Sequence, residues 1–455
     1  MRIRSLAEVA RLANASLVRG MGTIPIRGAV IDSRVATEGS IFFALPGSNC
    51  HGMEHADEAL KKGASAVMCD SGLSSRHSGP SLEVADVHSA LVQLASRIRQ
   101  QEEFDLPVVA VTGSAGKTTT CVMISALLGE TLRVHSPQAS YNNKIGVPIT
   151  ILESDPDTES LILELGSNAP GEIAELTEIA KPSHGVITAI AEAHLEGLGS
   201  IEGVLREKFS LLELLEGDGL WAPVEWRDLI GKQGAGYRWT GPSGDLEIRS
   251  DGSAGVVVMD RCRSREFSLP WIPPTSWALR CLESAVAMAL EVVDDPDQVA
   301  LGAQQIQLPR WRHEVHNVEG IDLILDCYNS NPRALQTAID DLGQSDAPRK
   351  LVVLGTMEEL GKNEKRYHVE AGHHCVRAGI DVVFVSGRAA DWIGQGVKEA
   401  GSESISITEG EHGARIVKDQ LRAGDRVLFK ASRKEQLEQI ALLIEQQLQV
   451  EGAGS

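Results

Sequence analysis

The stretch Val108-Val109-Ala110-Val111-Thr112-Gly113-Ser114-Ala115-Gly116-Lys117-Thr118-Thr119-Thr120 decides how the rest of the chain is read. It opens as an apolar, β-branched run, passes through small residues to Gly-Lys-Thr, and continues with Met123, Ile124 and Leu127 at helical spacing. A buried strand, a loop and a helix in that order can hold a polyphosphate. Gly113 and Gly116 permit a backbone path that turns successive N–H groups toward an anion, and the helix adds the positive end of its dipole. Ser114, Ala115 and Thr119 belong to the same cradle. Lys117 brings a charge to the terminal phosphates, and the Thr118 hydroxyl is placed to ligate Mg²⁺. Val111 stands where the longer form of this motif has its first glycine, so the pattern is the shorter Thr-Gly-x-x-Gly-Lys-Thr. The competing reading is an ordinary strand-turn-helix with a coincidental Gly-Lys-Thr.

Working outward, a chain of 455 residues exceeds one compact core, and the prior of roughly 150 residues per domain suggests three. The formal net charge of −20 argues against nucleic acid or an anionic membrane as main partner, though an acidic protein can still bind a nucleotide through a local basic site. Seven scattered cysteines, with no Cys-x-x-Cys pair, fit reduced thiols in a cytoplasm better than a disulfide framework or a zinc site. The amino terminus runs into Leu6, Val9, Ala10, Leu12 and Ala13, a helical pattern rather than a signal peptide. No window is apolar enough to span a bilayer, so a cytoplasmic chain with no membrane insertion is expected.

The first hundred residues alternate strands at 28–31, 40–45 and 66–68 with helices over about 53–63 and 90–99, the texture of a small α/β domain. Asp32-Ser33-Arg34 and Pro46-Gly47-Ser48-Asn49-Cys50-His51-Gly52 follow two of those strands, where α/β folds bind ligands; a plain turn cap is the alternative for the first. The polar run Gln100-Gln101-Glu102-Glu103 places a boundary near 104. The central region repeats strand and helix, with strands at 161–166 and 185–190 and a helix over 201–215 carrying Lys208. From about Gly217 to Pro270, short strands, turn residues and three tryptophans suggest an antiparallel subdomain. A helix spans 277–293, Pro309-Arg310-Trp311-Arg312 reads as a hinge, and α/β alternation resumes at 321–325, 350–355, 382–387 and 426–430. The expected architecture is therefore α/β in three domains, 1–104, 105–309 and 310–455, with mostly parallel sheets in the second and third. The end, Gly452-Ala453-Gly454-Ser455, reads as frayed.

Glu164, inside an apolar run, needs a partner or a cation if the strand is buried; a solvated edge-strand glutamate is the rival. His194 lies at a strand end beside Glu192 and Glu196 and could serve a metal or phosphate, although a lone histidine is more often structural. Lys208 alone reads as a solvated helix lysine. Arg312 and Asp326, delivered from another domain, could grip a nucleotide's phosphate and ribose, or form an interdomain ion pair.

Together these stretches resemble the Mur ligases, ATP-dependent amide-forming enzymes of peptidoglycan precursor synthesis. The similarity runs over nearly the whole chain: Asp32-Ser33-Arg34 with Phe42 through Gly47, the phosphate loop, Tyr141-Asn142-Asn143-Lys144-Ile145-Gly146-Val147-Pro148, Glu164-Leu165-Gly166-Ser167-Asn168, Ala193-His194-Leu195-Glu196-Gly197, Asp326 through Pro332, Gly355 through Gly361, and Lys430-Ala431-Ser432-Arg433. The resemblance implies a UDP-substrate domain, a central ATPase domain and a carboxy-terminal Rossmann-like domain. It implies Lys117 on phosphates, Thr118 and Glu164 on Mg²⁺, His194 and Lys208 serving a second Mg²⁺ (Lys208 as a carbamate), Arg312 on phosphate and Asp326 on the ribose. Asn329 is assigned with them to the nucleotide, and Ser33, Arg34, Asn142, Asn143 and Asn331 to the substrates. Tyr-Asn-Asn-x-Ile-Gly-Val-Pro and Tyr-Asn-x-Asn-Pro favour the dipeptide-adding branch, which joins D-alanyl-D-alanine to UDP-N-acetylmuramoyl-tripeptide; a monomer is expected.

Several positions depart from the family pattern. Leu279 and Glu283 stand where a His-x-x-x-Asn usually meets adenine, Thr356 replaces an aspartate, Ala431 replaces a glycine, and the region after Gly217 is short. The rivals are a sibling amino-acid-adding ligase, a folylpolyglutamate-synthase-like enzyme, and a nucleotide-binding homologue without catalysis.

Overall fold

The computed structural model describes residues 4–47, 50–101, 106–137, 140–215, 219–234, 236–252 and 254–452. Ser48 and Asn49, Glu102 and Glu103 with the boundary at 104, Gly217, and 453–455 lie outside the described residues.

Val108–Thr112 is the third strand from one edge of a nine-stranded sheet, between Ser160–Glu164 and His184–Ile187 and parallel to both. Every residue of it is buried, which is why the sequence there is a continuous apolar run rather than an alternating one. Val108 and Ala110 point into one hydrophobic cluster with Leu161 and Leu163, while Val109 and Val111 point into another with Ile162 and Val186. The second cluster is roofed by the helix Lys117–Gly129, through Met123, Ile124 and Leu127, and by Ser276–Val293, through Leu282, Ala285, Val286 and Ala289. Each fully buried Val, Leu, Ile or Met side chain here stabilises the fold by about 1.5–3 kcal/mol.

The region after Gly217 corrects an expectation. It forms no separate antiparallel subdomain. Leu220–Pro223, Arg238–Thr240 and Leu246–Ser250 extend the central sheet in parallel, and only Val256–Asp260 and Arg265–Leu269 turn back antiparallel at its far edge. The fully buried run Leu220-Trp221-Ala222-Pro223 explains this, since a strand covered on both faces belongs inside a sheet.

The first sheet has five strands, in the order Ser16–Arg19, Ser81–Val84, Ala66–Asp70, Ser40–Phe43, Gly28–Val30, parallel except at the first pair. Its helix Val87–Arg99 starts earlier than expected because the Asp86 side chain caps it, accepting the Ser89 N–H at 2.6 Å. The helix expected over 53–63 splits into a 3₁₀ turn, Gly52–His55, and Ala56–Lys62. One hydrophobic cluster runs unbroken from Leu6, Phe43 and Leu91 in this part to Val108 and Leu163 in the central sheet.

The last sheet has six strands: Glu314–Val318, Ile321–Leu325, Asp425–Lys430, Arg349–Leu354, Val382–Val385 and Ser404–Ser406, all parallel apart from the first hairpin. Two clusters of its own flank it. Among the described residues no helix is long and apolar enough to cross a membrane, and all seven cysteines are free thiols.

Candidate active site

The loop after Val108–Thr112 takes the path its glycines allow. Gly113 has φ 146° and Gly116 φ 84°; a Cβ on the first would lie 2.2 Å from Thr188 Oγ1, and on the second 2.8 Å from the Trp277 ring. Gly116 caps the helix Lys117–Gly129 without a side chain, leaving the first amides of that helix facing a cavity of about 550 Å³.

Ser114, Ala115, Gly116, Lys117, Thr118, Thr119, Asn142, Asn143, Glu164, His194, Arg312, Asp326, Asn329 and Asn331 all line this cavity. Lys117 Nζ donates to the Gly113 carbonyl at 2.9 Å, and burial holds its pKa below the usual lysine range, opposed by Glu164 and reinforced by Arg312. Glu164 is 1% exposed on an interior strand, so the solvated edge reading is corrected. Its carboxylate accepts Thr118 Oγ1 and Asn142 Nδ2, each at 2.8 Å. Arg312 Nη2 reaches across from the last sheet's domain and donates to Thr118 Oγ1 at 3.0 Å.

Lys208 is also not solvated. It lies two turns into Ile201–Glu213, 1% exposed, with Nζ donating to Ser167 Oγ at 2.7 Å. Burial, aided by Lys117 and opposed by Glu207 and Glu172, pushes its pKa down to about 7. It does not line the cavity itself; Ser167 stands between. His194, at φ 54°, pairs with Glu359 of the third domain, and burial followed by Lys117 lowers its pKa against the pull of that glutamate.

Some side chains have local duties. Asn331 caps the helix Pro332–Gly343, accepting the Ala334 N–H at 2.9 Å, and the Asn143 oxygen accepts the Ile145 and Gly146 N–H groups. Asp326 accepts Lys430 Nζ at 2.8 Å, and Asn329 Oδ1 accepts the Ser330 N–H. Ser33 and Arg34 are not brought to this cavity: Ser33 Oγ donates to Glu58 at 2.6 Å, and Arg34 pairs with Asp32 at 2.7 Å.

The donor set fits Mg²⁺. Thr118 and Glu164 present adjacent oxygens, suited to a hard cation that takes its remaining ligands from phosphate and water, and among the described residues no group of three or more His, Cys, Asp or Glu forms a self-sufficient metal centre. Sequence reasoning missed Ser140, Trp277 and His88, and the roles of Tyr328, Glu359 and Lys430 inside segments it quoted. Nothing near His88 signals that a first-domain residue reaches the cavity. Glu283 lines a second cavity of about 230 Å³, paired with Arg280 at 2.8 Å and accepting the Ile248 N–H; burial raises its pKa.

Three family models match in sequence: "Mur ligase family, catalytic domain" over 25–99, "Mur ligase middle domain" over 111–232 and "Mur ligase, glutamate ligase domain" over 311–433. The chain belongs to the Mur ligase family. It is 31% identical to UDP-N-acetylmuramoyl-tripeptide–D-alanyl-D-alanine ligase of Bacillus subtilis, covering 96% of this chain and 97% of that protein. It is likewise 31% identical to the protein of that name from Synechocystis sp., covering 90% of each. Among solved structures it resembles the MurF ligase of Thermotoga maritima in complex with ADP, with TM-score 0.79, 26% identity, and coverage of 93% of this chain and 98% of that one. MurF from Acinetobacter baumannii shares the fold with TM-score 0.84 at 22% identity, over 98% and 99% of the two chains.

Proposed function

We propose that the protein is an ATP-dependent amide ligase that joins D-alanyl-D-alanine to UDP-N-acetylmuramoyl-tripeptide through an acyl phosphate, in the cytoplasm, during peptidoglycan precursor synthesis. The observation that carries the reading is the meeting of Lys117, Thr118 and Glu164 with Arg312 of another domain in one cavity, in a chain whose curated relatives at this similarity bear that activity in their names.

A carboxylate is a poor electrophile, so amide formation needs it activated. The terminal carboxylate of the tripeptide attacks the γ-phosphorus of ATP, the bond to the β–γ bridging oxygen breaks, and ADP leaves. The D-alanyl-D-alanine amine then attacks the acyl carbon and loses a proton as phosphate departs. Lys117 and Arg312 neutralise charge on the transferred group, and Thr118 and Glu164 would hold a Mg²⁺ that would supply further electrostatic stabilisation. His194 and Lys208 would serve a second Mg²⁺, the low pKa of Lys208 making its neutral amine available for carbamylation. Asp326 and Asn329 take the nucleotide, Asn142, Asn143 and Asn331 the peptide, and Ser33 and Arg34 the UDP end, in a monomer with domains 1–104, 105–309 and 310–455. Docking of the third domain excludes water from the acyl phosphate.

The test is phosphate release from ATP in the presence of UDP-N-acetylmuramoyl-tripeptide. D-alanyl-D-alanine is expected to stimulate it at least about tenfold over any single amino acid. Equal stimulation by diaminopimelate or lysine would make the protein a sibling ligase, and no release with any amine would make it a nucleotide-binding homologue without catalysis.

A further inference from the structure

Tyr328 is absent from the set of residues assigned above, yet it closes a ring of contacts across two domains. Its aromatic face lies 4.3 Å from the Arg312 guanidinium carbon. Arg312 Nη2 donates to Thr118 Oγ1 at 3.0 Å. Thr118 Oγ1 lies 3.2 Å from Ser140 Oγ, and the Tyr328 hydroxyl donates to that same Ser140 oxygen at 2.6 Å. Starting from the tyrosine, the path runs through arginine, threonine and serine and returns to the tyrosine.

Each member constrains the next. An arginine side chain has several free torsions, and a guanidinium without a seat samples many rotamers. Stacking on an aromatic face fixes the plane of the fork while leaving its edge N–H groups free to donate. Here the seated edge points at the hydroxyl beside Lys117 and Glu164. The seat is held by an O–H···O bond whose partner, Ser140, belongs to the central domain. The arginine therefore reaches the phosphate end of the loop only when the third domain is docked.

We propose that Tyr328 is a positioning residue for phosphoryl transfer, acting through Arg312, with Ser140 as its docking partner. The proposal rests on the ligase reading for its link to turnover, but not for the contact itself. The tyrosine ring supplies the seat, and the hydroxyl makes that seat conditional on domain docking.

A double-mutant cycle tests it, with two readouts on the full chain: kcat and KM for the ligation, and the dissociation constant of a non-hydrolysable ATP analogue by calorimetry. Tyr328→Leu is expected to lower kcat about 30-fold with KM for the tripeptide substrate changed less than about threefold, because only the seat of the arginine is lost. Arg312→Ala lowers kcat by at least as much. The double variant is expected within about threefold of Arg312→Ala alone, since an unseated arginine and an absent one are equivalent. Tyr328→Phe keeps the ring and loses the hydroxyl, with an expected drop of about fivefold to which Ser140→Ala adds less than about twofold. Losses that multiply in both pairs would overturn the proposal. If Tyr328→Leu does not fold, the phenylalanine and alanine pair decides alone. If the wild-type protein ligates no amine, the ligase reading fails by itself, and the same two cycles read in analogue affinity still decide whether Tyr328 and Arg312 act as a unit.

Discussion

Lys208 shows how far a single side chain can depart from its default. A lysine on a helix is usually solvated, and this one is buried against Ser167 with its pKa pushed down to about 7, burial being the main cause. In the unfolded chain the amine titrates near 10.4. Between those values the unfolded chain holds more protons than the folded one, so stability rises with pH across that window. Below about pH 7 both states carry the charge and the full cost of burying it is present. Lys208→Met removes the titration, so the stability of wild type relative to this variant is expected to improve by on the order of 4 kcal/mol between pH 7 and pH 10. Denaturant melts of both proteins across that range check it; parallel curves would mean the amine stays charged in the fold. The helical spacing of Val204, Lys208, Leu211 and Leu212 places the amine on the buried face of its helix, but that the face turns toward the loop 165–171 and meets Ser167 is a tertiary fact the sequence does not carry. Glu164 was legible for the opposite reason: a carboxylate inside an apolar strand has to be explained wherever the strand lies.

At the scale of the element, the strand, loop and helix around Lys117 were legible because their requirements are local. Two glycines at positive φ, a strand before and a helix after are all written within thirteen residues. The structure adds that Gly116 is pinned from outside as well, by the Trp277 ring and Cys281 of the helix Ser276–Val293. Gly116→Ala is therefore expected to cost about 1–3 kcal/mol for the left-handed backbone alone, and to lower ADP affinity because the new methyl displaces either the ring or the loop. Thermal melting and calorimetry with ADP measure both, and an unchanged melting temperature would contradict the crowding. The strands after residue 219 were misread for a matching reason. Short strands rich in turn residues fit an antiparallel subdomain or the extension of a parallel sheet equally well, and only their hydrogen-bond partners distinguish the two.

Across the whole molecule, the three large sheets were foreseeable from strand and helix alternation, whereas the contacts between domains were not. His194 with Glu359, Arg312 with Thr118, and Tyr328 with Ser140 join residues separated by more than a hundred positions, and no periodicity encodes such pairs. The domains also differ in how they are joined. The last sheet has two clusters built almost wholly from its own residues, so fragment 310–455 is expected to unfold cooperatively when expressed alone, as followed by circular dichroism on heating. A gradual, non-cooperative loss of signal would move the boundary away from 309.

The first and central sheets, by contrast, share one unbroken apolar interior from Leu6 to Trp239. Prising them apart would wet that interior, whereas the third body meets the others through polar contacts such as Arg312 with Thr118 and Tyr328 with Ser140 and through the packing of Leu195. The machine is thus an anvil with a single hammer. Whatever gives in this molecule is therefore expected to give at one joint, near Pro309, while the two bodies on its other side move as a single piece.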